Sequence, residues 1–428
     1  MTTPLTSAHR SWRVKVFVAT WLSYVGFYFC RQPFSSTKSE IGKEAQWGAT
    51  TLGDIEAAYL IAYAVGQFLA SGMGTKLGPR KNVLIGMALS VAVSSLMGIT
   101  LDAAFLTGLV AVNGLAQATG WSGNVGTMAA WFHKHERGRV MGVWSTNFTV
   151  GSIASQYAMA GVLTLAAVYG GTWRWCFYAG AVVLALVWVQ FYAFQRNRPE
   201  DVGLPPIDDP VTPVDEATTA PPPVEGFLGL TRTQWANILL VGGFYFFSKL
   251  IRYAVWGWAA YFLVQNYQLS SSTANVYGTA FSVAGLPGVY LTGYLSDKYF
   301  GSRRAGISTL MLVGMIAATG LLILFGDTGV GVFTILLAAV GFTLFGPDAL
   351  MTGAAAIDIG GRRTTLATGI IAGFGALGPI VQALVIGRLY DAKGGDLTPV
   401  FIMLFGSAIA AAAFSGALVI RNRGGKGV

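Results

Sequence analysis

Two arginines, Arg31 and Arg252, lie inside long apolar runs, 221 residues apart. Within a membrane-spanning helix an arginine costs about 2.5–3.5 kcal/mol on insertion scales, so it persists only where something repays that cost. A guanidinium offers five donors in a rigid fork that fits two oxygens of a phosphate. Two such forks, one from each half of a chain, would grip a phosphate dianion from both sides. Arg31 has a second reading. It lies 17 residues past Val14, about 26 Å along a helix, and could snorkel to an interface. Arg252 sits near the middle of its run, where snorkelling is hard.

Other groups share those runs. Tyr24, Tyr28 and Arg31 fall on one helical face at i, i+4 and i+7; the hydroxyls suit a phosphate or a sugar, and the rings alone suit packing. Lys249 precedes Arg252 by three residues and faces the same side. Asp348 is an acid in a later run, and counting ~1.5 Å per residue puts it within about 6 Å of the height of Lys249. We expect Lys249 to neutralise Asp348 in at least one state, leaving both arginines for an anion. Two alternatives stay open: each faces water separately, or Asp348 carries protons. Gln117, Trp121, Asn124, Trp144 and Asn147 are polar or amphipathic groups in apolar segments. Each suits either a ligand or the hydrogen-bonding glue between helices, and glue is the preferred reading for Asn147.

The elements that carry these residues follow from composition. Of 428 residues 54% are hydrophobic and only 11% charged, against roughly 25% charged in a soluble domain. Coiled coil, disordered chain and disulfide scaffold are excluded. A membrane span needs about 20 apolar residues. Runs of that kind occupy residues 14–36, 52–73, 82–101, 103–132, 139–166, 171–194, 236–265, 272–295, 304–326, 328–357, 365–389 and 397–420. They are too long, and alternate too little, for a barrel. The fold class is therefore an all-α membrane protein with twelve transmembrane helices in two six-helix halves, 1–194 and 236–428. The linker 195–235 holds most of the prolines and reads as extended and hydrated.

Lysine and arginine set the orientation. With both termini cytoplasmic, that side carries 20 basic residues and the other 5. The net charge of +9 thus fits basic loops beside a lipid bilayer, and no nucleic-acid partner is expected. Two cysteines and three histidines form no ligand cluster, so no metal and no cofactor is expected. Lys76 and Lys298 end equivalent runs 222 residues apart, close to the spacing of the arginines, which indicates an internal duplication. Two repeated halves rocking about a midplane site is an architecture of secondary transporters.

The stretch from Gly293 to Arg304, Gly-Tyr-Leu-Ser-Asp-Lys-Tyr-Phe-Gly-Ser-Arg-Arg, resembles the loop motif of the major facilitator superfamily. Its first-half copy has Thr75 where an Asp is usual. Within that superfamily the chain resembles the organophosphate:phosphate antiporter family. The matching segments are Tyr24 to Arg31, Asn113-Gly-Leu-Ala-Gln-Ala-Thr-Gly-Trp121, Trp131 to Gly142, Arg198 to Pro206, Arg252-Tyr253 and Gly346-Pro347. The resemblance implies the major facilitator fold, with Arg31 and Arg252 as the phosphate-binding pair. It also implies that Asp297, Arg303 and Arg304 lock helix ends. The glycerol-3-phosphate branch has Lys, Lys and His where this chain has Gln32, Gln67 and Phe148, whereas Lys249 matches a Lys of eukaryotic sugar-phosphate exchangers.

No Walker motif, nucleophile elbow or metal cluster appears, so no enzymatic activity is expected. The expected function is exchange of an organophosphate, such as a sugar phosphate, for inorganic phosphate by alternating access. The substrate-binding candidates are Arg31, Arg252, Tyr28, Tyr24, Lys249, Gln117, Trp121 and Asp348. The expected setting is a bacterial inner membrane, and the expected functional unit a monomer. A proton-coupled carrier using Asp348, and a membrane sugar-phosphate sensor, are the alternatives.

Overall fold

The computed structural model describes residues 5–133, 140–141, 143–207, 230–299, 304–355, 359 and 364–423. Among them every regular element is helical. In the first half these are α1 (Ser7–Ser36), α2 (Lys38–Ala45), α3 (Ala49–Leu77), α4 (Pro79–Met97), α5 (Ala103–Gln117), α6 (Thr119–Trp131), α7 (Thr146–Tyr169) and α8 (Arg174–Phe194). In the second they are α9 (Arg232–Tyr267), α10 (Ser271–Gly278), α11 (Ala280–Tyr299), α12 (Arg304–Phe325), α13 (Val330–Ala349), α14 (Thr364–Ala392) and α15 (Thr398–Arg423). Each expected span overlaps one of these helices or a pair of them: α5 with α6, and α10 with α11. Among the described residues, eight helical segments are long and apolar enough to cross a membrane by length and composition. The long helices α1, α3, α4 and α11 carry more charged and polar residues.

Helix starts extend beyond the apolar runs because polar caps nucleate them. Thr6 accepts from the backbone of His9, whose side chain returns to the Thr6 backbone, and Thr231 and Gln234 repeat that box before α9. Such boxes satisfy otherwise orphaned N–H groups, so α1 begins seven residues before Val14.

The chain clusters into two compact units. One comprises residues 1–41 and 58–220; the other comprises residues 42–57 and 221–428. In the first unit α1 packs on α7 and α8, and α4 packs on α5 and α8. In the second, α9 packs on α14 and α15, and α12 packs on α13 and α15. These are the same pairings, element for element, in two halves of one duplicated design. Close helix–helix approaches at glycine occur in both units. A Cβ at Gly114 would meet the Tyr59 carbonyl, and one at Gly341 would meet the Phe281 carbonyl. Tyr59 and Phe281 are 222 residues apart. Only glycine lets the two backbones touch there.

The second unit contains the first turns of α3. Asp391 of α14 accepts from the backbone N–H groups of Ala49 and Thr50 at 3.1 and 2.7 Å, capping α3. Beside it, Arg388 pairs with Asp54 at 2.9 Å.

The linker is not extended throughout. Pro199–Val202 forms a 3₁₀ turn. Trp131 Nε1 donates to the Arg196 carbonyl at 2.9 Å, and His9 Nε2 lies 3.1 Å from the Pro205 carbonyl. Backbone polar groups thus dock residues 195–207 on the first unit. Residues 208–229 and Arg303 lie outside the described residues, as does the side chain of Asp297.

Candidate functional site

Each unit contains one cluster built around an embedded cation. In the first unit, α1 runs through Tyr24, Tyr28 and Arg31 as a single face. The guanidinium lies 4.8 Å from the Tyr28 ring, 5.4 Å from that of Tyr59 and 5.1 Å from that of Tyr63. Three electron-rich faces around one cation are each worth about 0.5–2 kcal/mol. Arg31 Nε donates to Gln117 Oε1 at 3.1 Å, and the Tyr59 hydroxyl donates to the same oxygen at 2.9 Å. Arg31 makes no ion pair among the described residues. A half-buried, always-protonated group without a counter-ion is what an anion site requires.

Tyr24 is one ring further from the cation. Its ring lies 6.0 Å from that of Tyr28 and 5.4 Å from that of Trp121, edge-on in both cases. Trp121 in turn contacts Trp144 at 5.3 Å. Trp144 is fully buried, with its Nε1 donating to Thr20 Oγ1 at 3.1 Å, so it braces the wall. Asn124 donates to Ser23 Oγ at 2.7 Å, which is glue of the expected kind.

Asn147 departs from its expected role as glue. It is 0% exposed, yet neither Oδ1 nor Nδ2 has a hydrogen-bond partner among the described residues. A buried unpaired polar group costs about 1–3 kcal/mol. Asn147→Leu keeps the volume and removes that cost. We expect its melting temperature without substrate to equal or exceed that of the wild type; a clear fall would mean the amide is bonded after all.

In the second unit, Arg252 Nη1 donates to Asp348 Oδ2 at 2.9 Å, a partly buried ion pair. The Arg252 guanidinium also sits 4.6 Å from the Phe345 ring. Asp348 is 7% exposed. It follows Pro347 near the end of α13, where the helix opens into a π-helical turn, Leu350–Ala355. Such turns re-aim side chains and recur at functional sites. Among the described residues, Asp348 Oδ1 has no hydrogen-bond partner.

In this structure the Asp348 carboxylate meets Arg252 rather than Lys249, which was expected to neutralise it in at least one state. Lys249 Nζ lies 4.8 Å from the Tyr245 ring and is within electrostatic reach of Tyr253 and Asp348. The helical spacing put Lys249 and Arg252 on one face. Which of them meets the carboxylate depends on how α13 is rotated against α9.

Sequence reasoning missed several residues. Tyr59 and Tyr63 line Arg31 from α3 and stack on one another at 5.9 Å; their i, i+4 spacing in an apolar run was the available signal. Tyr245 bears the same relation to Lys249. Glu56 is a further acid, 5% exposed, against which a Cβ at Gly257 would close. Among the described residues, no group of three or more His, Cys, Asp or Glu could hold a metal ion.

Long apolar helices in two repeated units, each with an embedded cation, define an integral multi-pass membrane carrier. The chain belongs to the Major Facilitator Superfamily, whose sequence profile matches residues 16–251. It is 27% identical over 430 residues to the glycerol-3-phosphate transporter of Bacillus subtilis (strain 168), covering 95% of this chain and 92% of that one. It is 25% identical over 403 residues to the "Probable hexose phosphate transport protein" of Chlamydia pneumoniae, covering 90% and 87%. The fold matches that of a bacterial homolog of the human lysosomal transporter Spinster, with a TM-score of 0.69 at 16% identity, covering 96% and 97% of the two chains. The relatives agree with the resemblance to the organophosphate:phosphate antiporter family. The superfamily is one of transporters, so the activity is transport rather than catalysis.

Proposed function

We propose that this protein exchanges a phosphorylated small organic molecule for inorganic phosphate by alternating access. The observation that carries the reading is Arg31: an embedded guanidinium, ringed by tyrosines, with no counter-ion among the described residues. The names of the relatives support the same chemistry. In this reading Arg31, Arg252 and Lys249 supply the positive charge. Tyr28, Tyr24 and Trp121 form a wall for the organic part, and Gln117 holds Arg31. Asp348 holds Arg252 until an anion competes for it. Unneutralised cations make the empty carrier resist closure; a bound phosphate relieves the repulsion, and obligatory exchange follows. The carrier functions as a monomer, with halves 1–194 and 236–428 and both termini on the cytoplasmic side of a bacterial inner membrane.

Counterflow of labelled phosphate in proteoliposomes tests this directly. Uptake driven by internal phosphate is expected, with little response to a pH gradient. Uptake that follows the pH gradient would identify a proton-coupled carrier instead, and phosphate binding without any flux would identify a sensor.

The chain has Gln67 and Phe148 where the glycerol-3-phosphate branch carries Lys and His. Fewer cationic contacts and a more apolar wall should favour a bulkier ester. In competition against labelled phosphate, a hexose phosphate is expected to displace it at lower concentration than glycerol-3-phosphate. If glycerol-3-phosphate competes best, this account of selectivity is wrong.

A further inference from the structure

Arg31 occupies a weakened turn. Pro33, inside α1, has no N–H to give the Phe29 carbonyl, so one backbone bond of that turn is missing. A side chain from α5 ties the same turn down: Asn113 Nδ2 donates to the Cys30 carbonyl at 3.0 Å. The other end of that amide reaches the Arg31 head group through one intermediary. Asn113 Oδ1 accepts from Gln117 Nε2 at 3.1 Å, and Gln117 Oε1 accepts from Arg31 Nε at 3.1 Å. The bonds close a ring that starts at the carbonyl before Arg31 and ends at its guanidinium. Ser90 of α4 braces it, donating to Asn113 Oδ1 at 2.6 Å and accepting from Gln117 Nε2 at 3.3 Å. Asn113, Gln117 and Ser90 are all buried. In each amide the nitrogen donates and the oxygen accepts, so every heavy atom of the two side-chain amides is engaged in the network.

The ring consumes Nε. No hydrogen bond to the terminal nitrogens of Arg31 occurs among the described residues. The guanidinium is thus fixed in plane and direction while its two outer N–H groups stay available, which is the end-on arrangement for two phosphate oxygens.

We propose that Asn113 is a positioning residue for phosphate recognition. Through Gln117 on one side and the Cys30 carbonyl on the other, it presents the outer edge of Arg31 to the anion before the anion arrives. Preorganisation of this kind lowers the cost of binding rather than adding a contact. The inference rests on the proposed phosphate exchange.

The test is the KM for inorganic phosphate in counterflow, with Vmax normalised to folded protein. Asn113→Leu keeps the size of the side chain and breaks both ties. Its KM is expected to rise about tenfold, the loss of one good hydrogen bond, with Vmax within about twofold. Ser90→Ala removes only the brace, changes little volume, and should raise KM about threefold. A folded Asn113→Leu with unchanged KM, or with a fall in Vmax alone, overturns the proposal. Should Asn113→Leu fail to fold, Ser90→Ala decides: a raised KM supports the assignment and an unchanged one overturns it. A wild-type protein that neither exchanges nor binds phosphate overturns the exchange reading, and this inference with it. Normal exchange in the wild type with indifferent variants overturns this inference alone.

Discussion

Arg31→Lys is expected to lower phosphate counterflow about a hundredfold, with protein yield and melting temperature little changed. An ammonium keeps the charge but loses the planar fork. It cannot make two parallel bonds to one phosphate, and each charge-assisted bond is worth about 1.5–3 kcal/mol. Two further losses follow from the structure. Lysine has no Nε to give Gln117 Oε1, so that oxygen keeps only the Tyr59 hydroxyl. The ammonium also stacks less well among the Tyr28, Tyr59 and Tyr63 rings, whose faces suit a flat cation. Near-normal counterflow in a well-expressed Arg31→Lys protein would mean that Arg31 is structural.

Asp348→Asn is the second large effect, and it acts on stability before transport. Removing the carboxylate takes away the negative charge that pairs with the partly buried Arg252. Breaking a buried pair costs about 3–5 kcal/mol, and residual exposure of both side chains reduces that toward about 2–3 kcal/mol. The substrate-free variant should therefore melt well below the wild type. Phosphate should then stabilise it more than it stabilises the wild type, because an added anion can take the place of the missing carboxylate beside Arg252. Equal phosphate stabilisation of variant and wild type would contradict the view that Asp348 and phosphate compete for one cation. The double variant Arg252→Gln/Asp348→Asn should recover part of the lost stability, since no charge is left unpaired. Lys249→Gln/Asp348→Asn should recover less, because the guanidinium that the carboxylate paired with is retained. If Asp348 instead carries protons, Asp348→Asn would erase a response to a pH gradient while counterflow persists.

Much of the architecture is written in the chain itself. A bilayer leaves only helices of about 20 apolar residues or closed barrels as spanning structures. Hydropathy therefore dictates the twelve helical segments whatever their packing. The duplication shows in the 221- and 222-residue spacings of Arg31 with Arg252 and of Lys76 with Lys298. Equivalent helices in the two units then make equivalent contacts. Arg31 was visible for the same reason: a charge in an apolar run has no cheap local explanation. Span ends were less legible, because Thr6 and Thr231 start helices with polar caps that hydropathy does not register.

The partners of those charges were decided by tertiary structure. Tyr59 and Tyr63 reach Arg31 only because α3 packs where it does, and no spacing within α1 encodes that approach. Arg252 meets Asp348 from 96 residues away. The three-residue step between Lys249 and Arg252 could not choose between them. Asn113 looked like one more polar residue in a motif, and its role emerged only where three helices bring Ser90, Asn113, Gln117 and Tyr59 together. Asn147 shows the converse, a residue suited to hydrogen bonding to which its described neighbours offer no partner. Periodicity fixes which face of a helix a side chain occupies. The hydrogen-bond partner on the facing helix depends on relative rotation and height, which many weak contacts set together.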